Sequence, residues 1–125
     1  MGAISGGRPR DIESRTFAFA LRIVRLCQVL EEKGGVARTL GWQLLRSGTS
    51  IGANVEEAQA GQSRADFRSK NSVALKEARE TRYWLRLLEG TKIVKPERLR
   101  RLMAEAEELS KILGAIVLRA APPTR

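Results

Sequence analysis

No histidine occurs in these 125 residues, and cysteine occurs once. The two absences remove much of the side-chain chemistry open to a small protein. Without histidine there is no imidazole to activate a Ser or Cys nucleophile. There is also none to complete the Glu-x-x-His pattern of helical carboxylate metal sites, so Glu56, Glu57, Glu77 and Glu80 do not form one. Without a second cysteine there is no internal disulfide and no Cys pair for zinc. Cys27 stands among Leu26, Val29 and Leu30, where a thiol packs as a small inert hydrophobe. Gly48-Thr49-Ser50-Ile51-Gly52 is glycine-rich but lacks the Lys-Ser/Thr of a P-loop. The expectation is a protein that is not an enzyme, with no catalytic residue, no metal and no cofactor.

Other scarcities narrow the class further. No apolar run approaches the length of a membrane span, and the N-terminus lacks the apolar core of a signal peptide. Met1-Gly2 begins a myristoylation pattern, but Gly6 stands where Ser or Thr is required. These features give no membrane partner and a cytoplasmic protein as the default. Aromatics are 5% of the chain, no segment alternates with period two, and no internal repeat is present. Leu and Ala dominate the apolar set, which favours helices over strands.

Positive charge is abundant: 23 Lys and Arg against 14 Asp and Glu give a net charge of +9. The first 62 residues carry 8 basic and 6 acidic side chains, and the last 63 carry 15 and 8. Such an excess suits either a polyanion partner or plain solubility.

The punctuation marks four helices in one domain. Residues 1–10 read as a flexible tail, and Asp11 can cap a first helix to about Lys33. There Phe17, Leu21, Val24 and Leu30 fall on helical spacing, with Phe19, Ile23 and Leu26 beside them. Gly34-Gly35 ends it, and a second helix runs from Val36 to about Ala60, stopped by Gly61. Ser63-Arg64-Ala65-Asp66 opens a third helix with a capping-box-like pattern, expected to end at Gly90. Pro96 and Glu97 suit the first turn of a fourth, in which apolar residues from Leu99 to Val117 repeat at three and four. Short loops force neighbours antiparallel. The expected fold is all-α, an up-and-down antiparallel four-helix bundle over residues 11–119, with a C-terminal tail over 120–125.

Two helices carry more than one core face needs. On the second, Val36, Leu40, Leu44, Ser47, Ile51, Val55 and Ala58 form a core stripe at ~100° per residue. Beside it lie Gly41, Gly48 and Gly52, with Leu45. Each glycine costs a helix interior about 1 kcal/mol relative to alanine. Either another backbone approaches closely there, from this chain or another subunit, or the helix is simply weak near Ser47-Gly48-Thr49-Ser50. On the third helix, Phe67, Asn71, Ala74, Ala78, Thr81 and Leu85 face the core, while Val73, Trp84 and Leu87 point away. A second apolar strip suggests self-association, the alternative being that Trp84 covers the bundle edge. Gly41, Leu45, Gly48, Gly52, Val73, Trp84 and Leu87 are thus the candidate oligomer interface.

The remaining side of the third helix is basic. Arg64, Arg68, Arg79, Arg82 and Arg86 share one flank, where like charges at i,i+4 repel by a few tenths of a kcal/mol. The fourth helix instead alternates sign, with Glu97–Arg101, Arg101–Glu105 and Glu107–Lys111 complementary. The five arginines are the candidate nucleic-acid contacts, since guanidinium forks suit phosphate oxygens in RNA or DNA. Pairing with Glu77, Glu80 or Glu89, or with acids of a neighbouring subunit, is the other reading. Asn54, Glu57 and Glu77 are expected to join a polar network with arginines.

Two stretches carry a resemblance. Arg46-Ser47-Gly48-Thr49-Ser50-Ile51-Gly52-Ala53-Asn54-Val55-Glu56-Glu57-Ala58 resembles the second helix of the four-helix bundle proteins associated with intervening sequences of 23S ribosomal RNA genes. Ala74-Leu75-Lys76-Glu77-Ala78-Arg79-Glu80-Thr81-Arg82-Tyr83-Trp84-Leu85 resembles their third. Order and separation match too, over roughly residues 12–118. The resemblance implies a four-helix bundle without catalytic residues, which in some members assembles as a homo-pentamer. A relative, the accessory variability determinant of diversity-generating retroelements, is a basic pentamer that binds nucleic acid and a reverse transcriptase. The implied partners are therefore further copies of the chain, RNA or DNA, and an acidic protein such as a reverse transcriptase.

Overall fold

The computed structural model describes residues 9–123; residues 1–8 and 124–125, which hold most of the expected N-terminal tail and the end of the C-terminal one, lie outside the described residues. Four helices follow in order: α1 (Pro9–Lys33), α2 (Gly35–Gln59), α3 (Arg64–Thr91) and α4 (Pro96–Arg119). Among the described residues there is no strand. Each helix packs on the next, and α1 meets α4 along a thinner seam that closes the ring. The fold is an up-and-down antiparallel four-helix bundle. None of the described helices is long and apolar enough to cross a membrane.

Local chemistry sets the reversals. Only Gly34 separates α1 from α2, and Gly34 and Gly35 both take positive φ, 71° and 57°. A side chain in that left-handed region costs about 1–2 kcal/mol. Arg38 latches the corner: its NH2 donates to the Glu31 carbonyl at 3.3 Å, and its Nε lies 3.2 Å from the Glu31 carboxylate. Ser63 caps α3 by accepting from the Asp66 amide at 3.1 Å. Pro96 stands in the first turn of α4, where its missing N–H leaves no bond unmade.

Two helix ends differ from expectation. α1 begins at Pro9, so Asp11 sits inside the first turn, facing the positive end of the dipole, and is not the cap. α3 runs past Gly90 to Thr91, and Lys92 takes the left-handed cap position at φ 61°. Its amide donates to the carbonyls of Leu88 and Glu89, at 3.2 and 3.3 Å. The reversal falls there because Leu88 before it and Val94 after it are both buried. Gly90, exposed and helical, has no part in the turn.

The glycine edge of α2 decides how α1 packs. A Cβ at Gly48 would stand 2.9 Å from Ile23 Cγ2; at Gly41, 3.1 Å from Leu30 Cβ; at Gly52, 3.1 Å from Thr16 Oγ1 and 3.4 Å from the Thr16 backbone. The three glycines accept Leu30, Ile23 and Thr16 in turn, which makes the two helices antiparallel and fixes their register. Their close neighbour is α1 of the same chain, and all three are buried; Gly41 also lines a groove between α1 and α2. Of the two neighbours the spacing allowed, this chain or another subunit, the one found against Gly41, Gly48 and Gly52 is this chain's own α1.

The same packing decides which face of α1 turns inward. The inward residues are Ile12, Thr16, Phe19, Ile23, Leu26 and Leu30. Phe17 and Leu21, on the neighbouring stripe, are 58% and 44% exposed. Either stripe has helical spacing, but only the inward one places Thr16, Ile23 and Leu30 over the glycines. Val36, expected in the core, is exposed at the start of α2, while Leu44, Ser47, Ile51, Val55 and Ala58 are buried as the spacing indicated.

Elsewhere the core follows the stripes. On α3, Asn71, Ala74, Ala78, Thr81 and Leu85 are buried, and Phe67 packs partly against the cluster. The fully buried hydroxyls of Ser47 and Thr81 lie 3.0 Å apart across the α2–α3 contact, and Thr81 also donates to the Glu77 carbonyl at 2.8 Å. The α1–α4 seam is held by a forked ion pair, Arg15 to Glu105, at 3.0 and 2.7 Å. The hydrogen bonds to Glu105, with the charges of Glu105, Glu108 and Asp11, raise the Arg15 pKa against some desolvation.

The seam is tested by two alanines. Gly48→Ala adds about 1 kcal/mol of helix propensity, yet drives a methyl into buried Ile23; overpacking of about 1–3 kcal/mol outweighs it. Gly114→Ala meets nothing within 4 Å in α4 and gains propensity alone. Thermal unfolding followed by circular dichroism is expected to show a lower Tm for the first variant and a Tm higher by a few degrees for the second. A higher Tm for both would refute close packing at the seam.

Candidate nucleic-acid interface

α3 divides its charges between two flanks. On the α2 side, Glu77 and Glu80 both pair with Arg46, Glu77 at 3.4 Å from Arg46 NH1. Glu80 Oε2 also accepts from the Trp84 indole at 2.9 Å. The acids of mid-α3 are therefore committed to α2. The expected network exists through Glu77 and Arg46, without Asn54 and Glu57: the Asn54 amide donates to its own helix at the Ser50 carbonyl, 2.9 Å away, and Glu57 is exposed.

The other flank holds the arginines, facing α4. Among the described residues, none of Arg64, Arg68, Arg79, Arg82 and Arg86 forms an ion pair, whereas Arg15, Arg38 and Arg46 all do. Arg68 Nε donates to the Val117 carbonyl on α4 at 3.3 Å, which anchors that side chain and leaves its guanidinium charge uncompensated. Arg64 and Arg68 line a shallow groove with Ser69, Ser72 and Lys76. Further along, Arg82 and Arg86 line a second with Met103, Ala104 and Glu107. Glu107, the acid there, lies 3.8 Å from Lys111 Nζ. Arg100 shares the Ala104 and Glu107 face of α4 by i,i+4 and i,i+7 spacing and adds a further cation. The alternation expected along α4 survives only at Glu107–Lys111, because Glu105 turns to Arg15.

From Arg64 to Arg86 is 22 residues, or about 33 Å of helix. The helix thus presents a line of cations of that length, with the Ser69 and Ser72 hydroxyls between them. Among the described residues, no group of three or more His, Cys, Asp or Glu side chains that could hold a metal ion converges.

The expected oligomer residues are scattered. Trp84 is half-buried against the core, hydrogen-bonded to Glu80 and in edge contact with Tyr83; it covers the α2–α3 edge. Val73 is 37% exposed and borders the Arg64–Lys76 groove, while Leu87 is half-buried. Leu45, 39% exposed, and Gly41 border a groove with an apolar floor and a charged rim. That surface was not identified from the sequence. Val24, Trp42, Leu45 and Gly41 line this groove of about 720 Å³ between α1 and α2, with Gln28, Glu31, Glu32 and Arg38 along it. Phe17 and Leu21 prolong it by i,i+4,i+7 spacing from Val24. Trp42 is 67% exposed. The signal in the sequence is the Phe17-Leu21-Val24 stripe, whose helical spacing does not by itself say which way it faces.

Cys27 forms part of the floor of this groove. It is buried, its Sγ lies 3.3 Å from the Gly41 carbonyl, and burial pushes its pKa from 9.0 to about 11.

The sequence matches the family model for the 23S rRNA-intervening sequence protein over residues 10–115. A crystal structure of a protein with unknown function from the S23 ribosomal protein family, from Bacteroides thetaiotaomicron, is 43% identical. The likeness covers 88% of this chain and 97% of that one, with a TM-score of 0.81. No curated protein is significantly similar to the sequence.

The Cys27 environment has a measurable consequence. With its pKa raised, the thiol holds its proton more tightly folded than unfolded. Its contribution to stability is intact below pH 9 and is lost as pH rises from 9 towards 11. At pH 8 iodoacetamide is expected to alkylate the native protein far more slowly than the urea-unfolded one. Wild type is expected to lose about 1 kcal/mol more per pH unit above 9 than Cys27→Ala. Equal alkylation rates in the two states would show the thiol to be open.

Proposed function

This chain belongs to the 23S rRNA-intervening sequence protein family, and from that premise we propose that it is a non-enzymatic, cytoplasmic, homo-oligomeric bundle that binds RNA or DNA through the arginine flank of α3. The observation that carries the reading is the charge partition on that helix. Glu77 and Glu80 are taken up by Arg46 on one side, while five arginines on the other have no carboxylate partner among the described residues. Like charges held 33 Å along one helix are stabilised when an anionic ligand spans them. Phosphodiesters do so with regular spacing, and guanidinium groups meet their oxygens with paired donors.

Self-association uses the α1–α2 surface in this reading, through Phe17, Leu21, Trp42 and Leu45. A second copy is its occupant, because the resemblance that implies the fold also implies assemblies of identical chains. The surface lies across the bundle from the arginines, so association leaves them accessible and multiplies them around the assembly.

Two experiments test the two halves. Fluorescence anisotropy with labelled RNA and DNA across a salt series is expected to show affinity falling steeply with salt, each phosphate contact adding about 0.7–0.9 to the log–log slope. Arg79→Glu/Arg82→Glu is expected to abolish binding near physiological salt with helix content unchanged. Absence of binding to any nucleic acid at low salt overturns this half and favours an acidic protein, such as a reverse transcriptase, on the same arginines. Light scattering at tens of micromolar is expected to give a multiple of the protomer mass, reduced to one protomer in Leu21→Glu/Trp42→Glu. A monomeric wild type overturns the oligomer.

A further inference from the structure

Tyr83 is the chain's one tyrosine, and it stands 52% exposed near the C-terminal end of the arginine row, between Arg79 and Arg86. On the helix it is four residues after Arg79 and three before Arg86, so the three side chains neighbour one another on the outer surface. Both arginines are exposed, as is Lys76 two turns earlier on the same face. An aromatic ring between unpaired guanidinium groups is the arrangement by which proteins hold unpaired nucleotides: phosphates on the cations and a base on the ring.

The ring is also braced. Its centroid lies 5.2 Å from that of Trp84, with the planes at 74°. An edge-to-face contact engages at most one face of either ring, so at least one face of Tyr83 remains available. Trp84 is itself held by its indole bond to Glu80 at 2.9 Å, and Glu80 pairs with Arg46 on α2. The chain Arg46–Glu80–Trp84–Tyr83 thus fixes an exposed ring from behind, which lowers the entropy lost when a base settles on it. Neither the arginine pairing nor the core packing requires this ring to be aromatic and exposed.

We infer that Tyr83 is a base-stacking platform, flanked by Arg79 and Arg86, and that the nucleic acid this face takes is single-stranded: a loop, an end or an unpaired stretch. In a duplex each base is stacked between its neighbours and offers no face to a side chain. The inference rests on the nucleic-acid reading of the arginine flank and narrows its ligand.

The test compares a fluorescein-labelled 12-nucleotide oligouridylate, the matching oligothymidylate, an abasic oligodeoxynucleotide of equal length, and a 12-base-pair RNA duplex. Wild type is expected to bind the intact single strands more tightly than the abasic strand or the duplex. Equal affinity for the uridylate and thymidylate means that the ring reads the base alone; preference for the uridylate adds a 2′-hydroxyl contact to the same stack. Tyr83→Ala is expected to weaken binding of the intact strands by about 5- to 100-fold, the range for stacking one base. It should leave the abasic strand and the duplex unchanged, and Tyr83→Phe should bind as wild type does. If Tyr83→Ala leaves all four probes unchanged, or weakens all four equally, the platform is overturned. Loss in Arg79→Glu/Arg82→Glu would still support the arginine reading in that case. Failure of wild type to bind any probe at low salt overturns both.

Discussion

Three glycines on one side of α2 set how near α1 can come, and much of the surface follows from that distance. Gly41, Gly48 and Gly52 are spaced seven and four residues apart, so they stay on one flank of α2 through three turns. Leu30, Ile23 and Thr16 fill the places their side chains would have taken. The helix-propensity loss, about 1 kcal/mol per glycine, is offset by packing between two backbones in close approach. Once α1 is seated this way its rotation is settled. Phe19 and Ile23 go inward, while Phe17 and Leu21 turn out beside Trp42 and Leu45. The exposed apolar surface is thus a consequence of the seam: α1 is apolar over more than one face, and the glycines choose which face is hidden.

Charge is arranged by a similar competition. Arg46 draws Glu77 and Glu80 to the α2 side of α3, and Arg15 draws Glu105 to the α1 side of α4. Each pairing removes an acid from the α3–α4 surface. What remains there is a row of arginines with Glu107, which faces Lys111, and with exposed Glu89 and Glu97 towards one end. These exposed or half-exposed pairs contribute little to stability individually. Their larger effect is on the field, because they leave one face of a moderately basic protein strongly positive. Trp84 belongs to the same arrangement: its bond to Glu80 places it over the α2–α3 edge and braces Tyr83 among the arginines.

Helix number, order and approximate ends were legible in the sequence, since periodicity and capping are local. The α3 and α4 core stripes read correctly because their small and branched apolar residues repeat at three and four on one side of the helix. Reading failed where a helix offered two faces of similar polarity. On α1 the Phe17-Leu21-Val24 stripe and the Phe19-Ile23-Leu26 stripe are equally helical and equally apolar, and only contact with α2 distinguishes them. Gly90 misled for a related reason: a glycine permits a turn but does not require one, and the burial of Leu88 and Val94 placed the turn at Lys92. Of the candidate site, the arginine flank was visible from spacing alone; which of its charges lack partners was not.

By itself, then, the sequence determined the four helices, the lack of histidine and of a cysteine pair, the glycine edge of α2 and the arginine flank of α3. Each follows from residue type and spacing within one helix. Tertiary structure alone decided that the glycines receive α1 of the same chain, that Phe17 and Leu21 face outward, that Trp84 seals an edge and that Glu77, Glu80 and Glu105 turn away from the arginines. Those outcomes depend on which helices become neighbours and at what rotation. That is settled by the summed packing of the whole bundle, which no single helix encodes.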